Sequence, residues 1–243
     1  MKTVVLSDIH ANLEAFEAAR AAAEEHSVDQ WVCLGDIVGY GADPNACVEG
    51  VRALTDCVVL GNHDAAVAGL HDLQYFNSYA REAALWTRHY LSEDNRDYLA
   101  QLPYIAQRGE SFYVHAEPVD PGEWDYVDTR QDVATALAAV SARFCFVGHS
   151  HQAFAYAAAG SQLEIALEAS GQLELESGCR YLVNAGSVGQ PRDGDARACF
   201  ALCDDEAGTL ELVRTDYDIA RAQEKILEAG LPAFLATRLQ HGH

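Results

Sequence analysis

Five short polar motifs dominate this sequence, and each comes at or just after an apolar, β-branched or aromatic run. They are SDIH over 7–10, LGDIVGYG over 34–41, GNHD over 61–64, YVHAEP over 113–118 and GHSH over 148–151. In an α/β fold the sheet brings its strand ends to a common ligand crevice, so we expect the motifs to meet there. Their Asp, Asn and His side chains are those that hold two divalent cations beside a phosphate ester. The pattern makes hydrolysis of a phosphate ester the leading hypothesis.

The order of predicted elements in the first part of the chain favours a layered α/β fold. A strand, TVVLSD, is followed by an amphipathic, Ala-rich helix over about 13–25 and by a second strand, QWVCLG. Asp43 and Pro44 predict the start of another helix, with Asp43 as its cap and Pro44 at its first position. The run CVVLGN over 57–62 predicts a third strand.

The rest of the chain predicts more helices and then a second sheet. Residues 76–100 read as two helices interrupted near Ser92. After Pro103 the pattern turns to closely spaced strands, which suggests a second sheet packed against the first. The predicted strands are SFYVHA, RFCFVGHS, QLEIAL, QLELES, CRYLVNAG and RACFALCD. Helices over about 219–229 and 232–239 close the chain.

Composition limits the partners of this chain. With 243 residues, of which 49% are apolar, we expect one domain over 1–243 with a sizeable core. A formal charge of −21 speaks against general nucleic-acid or acidic-membrane binding, which needs basic patches. It does not exclude a small anionic substrate, because bound cations would dominate the field inside the site. With neither a leader pattern nor an apolar stretch approaching about 20 residues, we expect a cytoplasmic protein.

Seven cysteines are an odd number, and none of them forms a CxxC pair. Cys33, Cys57, Cys145 and Cys199 lie in strand-like runs. We therefore expect small buried thiols in a reducing compartment rather than zinc ligands or disulfides.

The motif residues suit transition metals. Asp8 and His10, one residue apart at a strand end, can converge on one ion, and Asp36 follows Gly35, whose missing side chain leaves room for close approach. A carboxylate is a natural bridge because each of its oxygens can bind one cation. Further oxygen and nitrogen ligands are available from Asn62, His115, His149 and His151. This mixture suits Mn, Fe, Zn, Ni or Co better than calcium. A lone Asp or His at a strand end is more often a cap or a hydrogen-bonded core residue, so the inference depends on the combination.

The series D-x-H, G-D, G-N-H-D, H and G-H-x-H resembles the calcineurin-like metallophosphoesterase superfamily, and the resemblance runs from Asp8 to about Arg192. It implies an α/β (α+β) fold in which two packed, mostly β-sheets form a sandwich flanked by helices, in four layers. It also implies two divalent or trivalent transition-metal ions at the strand ends, with Mn²⁺ the ion we expect to support activity in vitro. By motif position, one metal would be held by Asp8, His10, Asp36 and His151, and the other by Asp36, Asn62, His115 and His149.

The same resemblance implies a mechanism in which a metal-bridging hydroxide attacks phosphorus in line. His63 would face the substrate and either stabilise the transition state or protonate the leaving oxygen. Asp8 would assist by orienting groups. Asp64 would either hydrogen-bond the His63 ring or cap a helix.

Two departures concern the subfamily. Protein phosphatases and symmetrical dinucleoside-tetraphosphatases carry Asp-Arg-Gly after the G-D pair and then G-N-H-E, whereas this chain has GYG over 39–41 and ends the later motif in Asp64. The loop VNAGSVGQPRDG over 183–194 is similar instead to the N-P-G-S loop of small bacterial and archaeal phosphodiesterases of the YfcE type. Ala185 stands there in place of the usual Pro.

Substrate contacts are less defined by the sequence. Arg192 would either bind a substrate phosphate together with Asn62 or pair with Asp193 or Asp195 on the surface. Tyr40 lies beside a motif loop, where it would stack on a base or aryl leaving group or pack locally, and the same holds for Trp124 and Tyr126. His26, His71 and His89 are expected at the surface or on helices. The loops over 69–77 and 117–128 would set selectivity.

We therefore expect a dimetal-dependent phosphoesterase that acts on small phosphoesters, with phosphodiesters favoured. The alternatives are a phosphomonoesterase, a dinucleoside-polyphosphate hydrolase, and a non-catalytic metal-binding scaffold or sensor. Scaffolds of this fold lose metal ligands or the catalytic His, so the presence of His63 favours an enzyme. The oligomeric state is left open by the sequence.

Overall fold

The computed structural model describes residues 1–160 and 162–243, and it confirms the predicted architecture of two sheets flanked by helices. The described strands are β1 Lys2–Leu6, β2 Gln30–Cys33, β3 Ile105–Arg108, β4 Ser111–Val114, β5 Phe144–Val147, β6 Ala153–Ala159, β7 Gln162–Glu168, β8 Gly171–Glu174, β9 Arg180–Ala185, β10 Ala198–Asp204 and β11 Thr209–Thr215. The described helices are α1 Leu13–Glu24, α2 Pro44–Leu54, α3 Asn62–Ala68, α4 Ser78–Tyr90, α5 Glu93–Ala100, α6 Arg130–Ala139, α7 Ile219–Glu228 and α8 Ala233–Thr237. Short 3₁₀ helices cover Leu73–Tyr75 and Arg238–His241.

Both sheets are mixed. The first has the strand order β2-β1-β10-β11-β8, and β1 and β2 run parallel. The second has the order β3-β4-β5-β9-β6-β7, with β4, β5 and β9 parallel. Parallel neighbours end at the same edge of a sheet, which places the residues after β1 and β2, and those after β4 and β5, at common edges.

Apolar side chains fill three layers of contact. One buried cluster joins the inner faces of the two sheets, with Val5 and Val32 on one side and Phe146 and Val183 on the other. A second cluster packs α1 and α2 on the outer face of the first sheet, and a third packs α6 on the outer face of the second. Helix, sheet, sheet and helix thus form the four layers that the resemblance implied.

Several local predictions are confirmed. The helices over 78–90 and 93–100 are separated at Ser92, whose hydroxyl accepts the N–H of Asn95 and caps α5. The two closing helices are present, although shorter than predicted. Pro44 begins α2, but the Asp43 carboxylate does not cap it, because it accepts a hydrogen bond from Lys225 of α7 at 2.9 Å.

The predicted third strand is wrong. Residues 57–60 make a single parallel bridge, Cys33 to Val58, and then leave the sheet. The chain turns at Gly61 because α3 begins immediately, at Asn62. The GNHD motif therefore sits at the start of a helix.

Three strands were not predicted. They are β3, β6 and β11. The sequence of β6, AFAYAAA, is rich in Ala, a poor strand former, and its conformation is set by pairing with β7 and β9. Among the described helices, none combines the length and the apolar character needed to cross a membrane.

Candidate metal centre

The polar motifs meet where the two sheets bring their strand ends together. Asp8 follows β1, Asp36 follows β2, His115 follows β4 and His149 follows β5. The backbone is left-handed at several of these non-glycine residues, with φ between 51° and 64° at Asp8, His10, Asp36, His149 and His151. Such conformations cost energy and persist where the surrounding structure enforces them, which is typical of functional sites.

The first group of ligand atoms contains Asp8, His10 and His151, all buried. The Nε2 atoms of His10 and His151 lie 3.1 Å apart. Asp8 Oδ1 is 3.2 Å from His151 Nε2 and 3.7 Å from His10 Nε2. The other Asp8 oxygen accepts from Ser7 Oγ at 2.6 Å and from the His149 N–H at 3.1 Å, which fixes the carboxylate.

The second group contains Asp36, His115 and His149, and Asn62 joins it. His115 Nε2 lies 3.2 Å from His149 Nδ1 and 3.2 Å from Asn62 Oδ1. Asn62 enters the group because it is the first residue of α3 and its side chain faces the strand ends.

Asp36 connects the two groups. Its Oδ2 lies 3.6 Å from His10 Nε2 and 3.4 Å from His115 Nε2. Its Oδ1 accepts the N–H of His63 at 2.8 Å and so holds the start of α3 against β2. One carboxylate oxygen therefore faces both clusters of imidazole nitrogens.

Hydrogen bonds to backbone carbonyls fix the ring orientation of three of the four histidines. The Nδ1 atoms of His10, His115 and His151 lie 3.1, 2.8 and 2.6 Å from the carbonyl oxygens of Val38, Leu34 and Gln190 respectively. A carbonyl can only accept, so each Nδ1 carries the proton and each Nε2 presents a lone pair when the ring is neutral. Holding the far nitrogen of an imidazole in this way is how proteins orient a metal ligand.

The donor set fits transition-metal ions. Lone pairs of His10 and His151 at 3.1 Å would repel each other unless a proton or a cation lay between them. Asp8 Oδ1 is buried and accepts no hydrogen bond in the described residues. Mixed imidazole, carboxylate and amide ligands of this kind suit Mn, Fe, Zn, Ni or Co.

The charges in this centre depend on one another. Burial alone would raise the pKa of Asp36, but the surrounding imidazoles, His115 foremost, hold it well below its usual value. Burial opposes protonation of His115, yet the Asp36 carboxylate outweighs it and raises the pKa of His115 to about 9. Without a cation, a buried carboxylate therefore draws a proton onto its neighbour.

His63 lies beside the ligand groups. It is 5% exposed, and its ring packs edge-on against His10 with centroids 4.9 Å apart and at a tilt of 50° against Tyr40 with centroids 4.4 Å apart. Burial lowers its pKa to about 4 even though Asp36 attracts the proton, so the ring is neutral at pH 7. Together with His10 and Asp36 it forms a third set of atoms close enough to hold a cation, overlapping the other two.

The conformation and the surroundings of Gly39 explain the first glycine of GYG, at the end of the second motif. A methyl group at residue 39 would approach His63 Nδ1 to 2.5 Å, and its φ of +91° is in the range that favours glycine. The missing side chain makes room for the His63 ring.

The structure corrects the first of the two roles considered for Asp64. Its Oδ1 accepts the N–H of Val38 at 3.1 Å and its Oδ2 accepts the N–H of Gly61 at 3.3 Å, while His63 Nδ1 has no hydrogen-bond partner in the described chain. Asp64 therefore lies in the first turn of α3 and ties this turn to the loop after β2. Burial, followed by repulsion from Asp36, raises its pKa to about 7.

Of the two roles expected for Arg192, the structure excludes the surface ion pair with Asp193 or Asp195. Asp193 pairs with Arg214 and Asp195 pairs with Arg197. The guanidinium of Arg192 instead donates to Gln190 Oε1 at 2.9 Å and lies 5.7 Å from the centroid of the Tyr40 ring. Its Nε is buried and has no partner in the described residues.

A cavity of about 490 Å³ opens onto the centre. Both loops expected to set selectivity contribute to it, and Asn62, His63 and Arg192 line it as well. His71, which was expected at the surface or on a helix, is instead a half-buried loop residue of the cavity lining and contacts Tyr75 and Trp124. Tyr40 also lines the cavity, but its ring is buried against His10 and His63, so local packing accounts for most of its surface.

Sequence reasoning missed the polar residues that support the motif loops. The amide of Asn184, at the end of β9, donates to the Gly148 carbonyl at 2.8 Å and to Ser150 Oγ at 2.9 Å. Ser187 Oγ donates to the Asp8 carbonyl at 2.8 Å. Both lie in the loop over 183–194 that resembles the N-P-G-S motif, and this resemblance could have identified them from the sequence.

Comparison with known proteins gives consistent results. A family model for the calcineurin-like phosphoesterase superfamily domain matches residues 1–208. A protein of Methanocaldococcus jannaschii is 40% identical over 241 residues, covering 97% of this chain and 96% of the relative. The crystal structure of a metallophosphoesterase from Sphaerobacter thermophilus matches with a TM-score of 0.87 and 39% identity, covering 100% of this chain and 99% of the other. A hypothetical protein from Pyrococcus horikoshii OT3 matches with a TM-score of 0.81 and 21% identity over 100% of this chain and 98% of the other, which shows a shared fold alone.

Proposed function

The chain belongs to the calcineurin-like phosphoesterase superfamily, and on that premise we propose that it hydrolyses phosphate esters, phosphodiesters in preference, with two bound transition-metal ions. The observation that most supports this proposal is the position of Asp36 Oδ2, which faces His10 Nε2 and His115 Nε2 at 3.6 and 3.4 Å. A single carboxylate between two imidazole groups is the arrangement expected of a bridging ligand.

The two metal sites share Asp36. We assign the first site to Asp8, His10, Asp36 and His151, and the second to Asp36, Asn62, His115 and His149. Bound there, the two cations would supply Lewis acidity, lowering the pKa of a water molecule and neutralising phosphoryl oxygens. Mn²⁺ is the ion we choose for activity assays, and Fe, Zn, Ni and Co suit the same ligands.

His63 is the residue we assign to the reacting phosphate. A neutral ring can donate a hydrogen bond from one nitrogen, and a pKa of about 4 keeps the ring neutral at physiological pH. We therefore favour stabilisation of developing negative charge over full proton transfer to the leaving oxygen. Asp8 Oδ2 accepts hydrogen bonds from Ser7 Oγ and from the His149 N–H. We therefore assign Asp8 the role of orienting the groups around the first metal site and not that of exchanging protons.

Arg192 supports the preference for diesters. Among the described residues that line the cavity, it is the only Lys or Arg. A phosphomonoester carries nearly two negative charges at neutral pH, because its second pKa is about 6, whereas a diester carries one. Arg192 adds one positive charge to those of the two metal ions, and no further Lys or Arg of the described lining is available for the second charge of a monoester.

The test is an ester comparison on metal-stripped protein reloaded with Mn²⁺. We expect faster turnover of bis-p-nitrophenyl phosphate than of p-nitrophenyl phosphate, and a loss of at least about 100-fold in kcat for His63→Ala, as for removal of one transition-state donor. His89→Ala, outside the cavity lining, is the matched control. Faster turnover of the monoester would contradict the proposed phosphodiesterase activity and indicate a phosphatase. Absence of turnover for both esters with metals bound would favour a sensor or scaffold.

A further inference from the structure

The walls of the cavity differ on the two sides of the centre. Tyr40 and Arg192 adjoin the first ligand group: the Tyr40 ring contacts His10, and the Arg192 N–H donates to the His151 carbonyl. On the other side the lining is mainly aromatic, with His71, Tyr75, Trp124 and Tyr126, and the Phe76 ring lies between the two sides, against His63. This aromatic wall comes from two loops far apart in the sequence.

The aromatic wall adjoins the second ligand group. The Tyr126 ring stacks on His149 with centroids 4.2 Å apart and planes at 19°. The Trp124 ring meets His115 edge-on at 6.0 Å. A planar group that stacked on this wall would therefore lie next to an ester held at the metal centre.

Two rings of this wall are exposed. Tyr75 is 74% exposed and Tyr126 is 50% exposed, and Tyr75 has His71 as its stacking neighbour at 5.6 Å. Exposed Tyr rings also occur outside the cavity, as at Tyr90, so the exposure of Tyr75 and Tyr126 matters because both rings line the cavity. Exposed rings that line a concave site beside convergent polar groups are typical contact surfaces for a ligand.

Charge separates the two sides further. Arg192, the cation of the lining, lies on the side of the first ligand group. Glu123 lies with the aromatic residues, where no Lys or Arg of the described chain lines the cavity. The aromatic side therefore offers a second phosphate no Lys or Arg of the described lining, whereas an uncharged ring needs none.

We propose that the alcohol part of the substrate carries a planar, uncharged aromatic ring system, of which a nucleobase is the biological example, and that this ring stacks on Tyr126 and Tyr75. The single phosphate lies at the metal centre on the side of Arg192. This inference rests on the proposed function and narrows its substrate class to mononucleoside-type esters rather than polyphosphates.

The experiment measures binding instead of turnover. Two non-hydrolysable phosphinates are compared by titration calorimetry on Mn²⁺-loaded protein: analogues of a methyl diester of adenosine 5′-phosphate and of ribose 5-phosphate, with carbon in place of both ester oxygens. They have the same single charge and differ in the base. Stacking of one base is worth about 5- to 150-fold in affinity, so we expect the adenosine analogue to bind at least about fivefold tighter.

Variants test which rings are responsible. Tyr126→Phe keeps the ring and should keep the ratio of the affinity for the adenosine analogue to that for the ribose analogue. Tyr75→Ala combined with Tyr126→Ala should bring this ratio close to one. Tyr75 stacks on His71 and not on His149, so Tyr75→Ala alone lowers the ratio without touching a proposed metal ligand. Tyr90→Ala removes an equally exposed Tyr outside the cavity and is the matched control. Thermal melting of each variant verifies folding.

Equal affinity for the two analogues in the wild-type protein would overturn the proposal, as would a ratio that survives the double variant. Hydrolysis of bis-p-nitrophenyl phosphate is measured on the same preparations. Ester cleavage without a base preference would reject the aromatic subsite alone. A base preference without ester cleavage would reject the proposed hydrolysis and leave the subsite in place.

Discussion

His10 and His151 face each other with their Nε2 atoms 3.1 Å apart, although 141 residues separate them in the chain. Each ring is held from behind by a backbone carbonyl, Val38 for His10 and Gln190 for His151. The fold thus holds two buried imidazoles in an orientation in which their Nε2 lone pairs repel each other when both rings are neutral. Either a proton or a cation between them would resolve the conflict. Burial lowers the pKa of both His10 and His151, which disfavours the proton, so a cation is the occupant we propose.

Asp36→Asn should weaken both metal sites at once. Asn keeps an oxygen that can accept the His63 N–H, as Asp36 Oδ1 does at 2.8 Å, but the amide nitrogen would replace the oxygen that faces His10 and His115. We expect metal affinity to fall by at least about 100-fold, since loss of an outer-shell partner alone costs about 10- to 100-fold. Metal content after dialysis, measured by plasma mass spectrometry, checks this. Asp94→Asn, on the surface, should keep the wild-type content, and a normal content in Asp36→Asn would refute the bridging role.

Metal removal should lower the melting temperature. The centre buries the Asp8 and Asp36 carboxylates among four imidazoles, and ions that bind only the folded state stabilise it. At a free concentration of about 100 Kd one site adds about 2.7 kcal/mol, which corresponds to about 5–10 °C for a chain of this size. Calorimetric scans in EDTA and in Mn²⁺ measure the difference. The Asp36→Asn variant should show little shift, and an equal shift there would mean that the ions stabilise the protein from another place.

Gly148→Ala should disturb the first metal site. A methyl group there would collide with Ser7 Oγ and approach Asp8 Oδ2 to 2.6 Å, so the carboxylate must move. We expect reduced metal content and an activity loss of about 100-fold, because misplacement by about 1 Å is enough for that. Gly122→Ala is the control, since its added methyl meets nothing closer than 3.8 Å. Equal metal content in the two variants would contradict the role of the Asp8 position.

The seven cysteines should react slowly with thiol reagents in the native protein. All seven are buried and unpaired. Burial raises the pKa of Cys145, Cys199 and Cys203 to about 12, so only about one such thiol in ten thousand is ionised at pH 8, and the thiolate is the reactive form. Titration with Ellman's reagent should report few thiols before denaturation and all seven afterwards. Fast reaction of several thiols in the folded protein would show that these strands open readily.

The proposed ligand set could be predicted from sequence because its residues follow strand-like runs at short, fixed spacing. Asp8 and His10 come directly after β1, and GHSH comes directly after β5, so the strands place them with little help from the rest of the chain. The family resemblance then supplied the pairing of the motifs across two sheets, which no local pattern contains.

What the sequence did not predict depends on contacts between distant segments. The choice between the two roles of Asp64 was settled by the N–H groups of Val38 and Gly61, which the fold brings to its carboxylate. The strand β6 is Ala-rich and forms because β9 and β7 pair with it. The position of His71 beside Trp124 depends on the approach of two loops whose shapes have no sequence signature.

The most direct measurement is the activity of the metal-stripped protein against added equivalents of Mn²⁺, with bis-p-nitrophenyl phosphate as substrate. The two-metal account predicts no turnover in EDTA and a rate that rises to a plateau at two ions per chain. A plateau at one ion, or turnover that persists in EDTA, would contradict it.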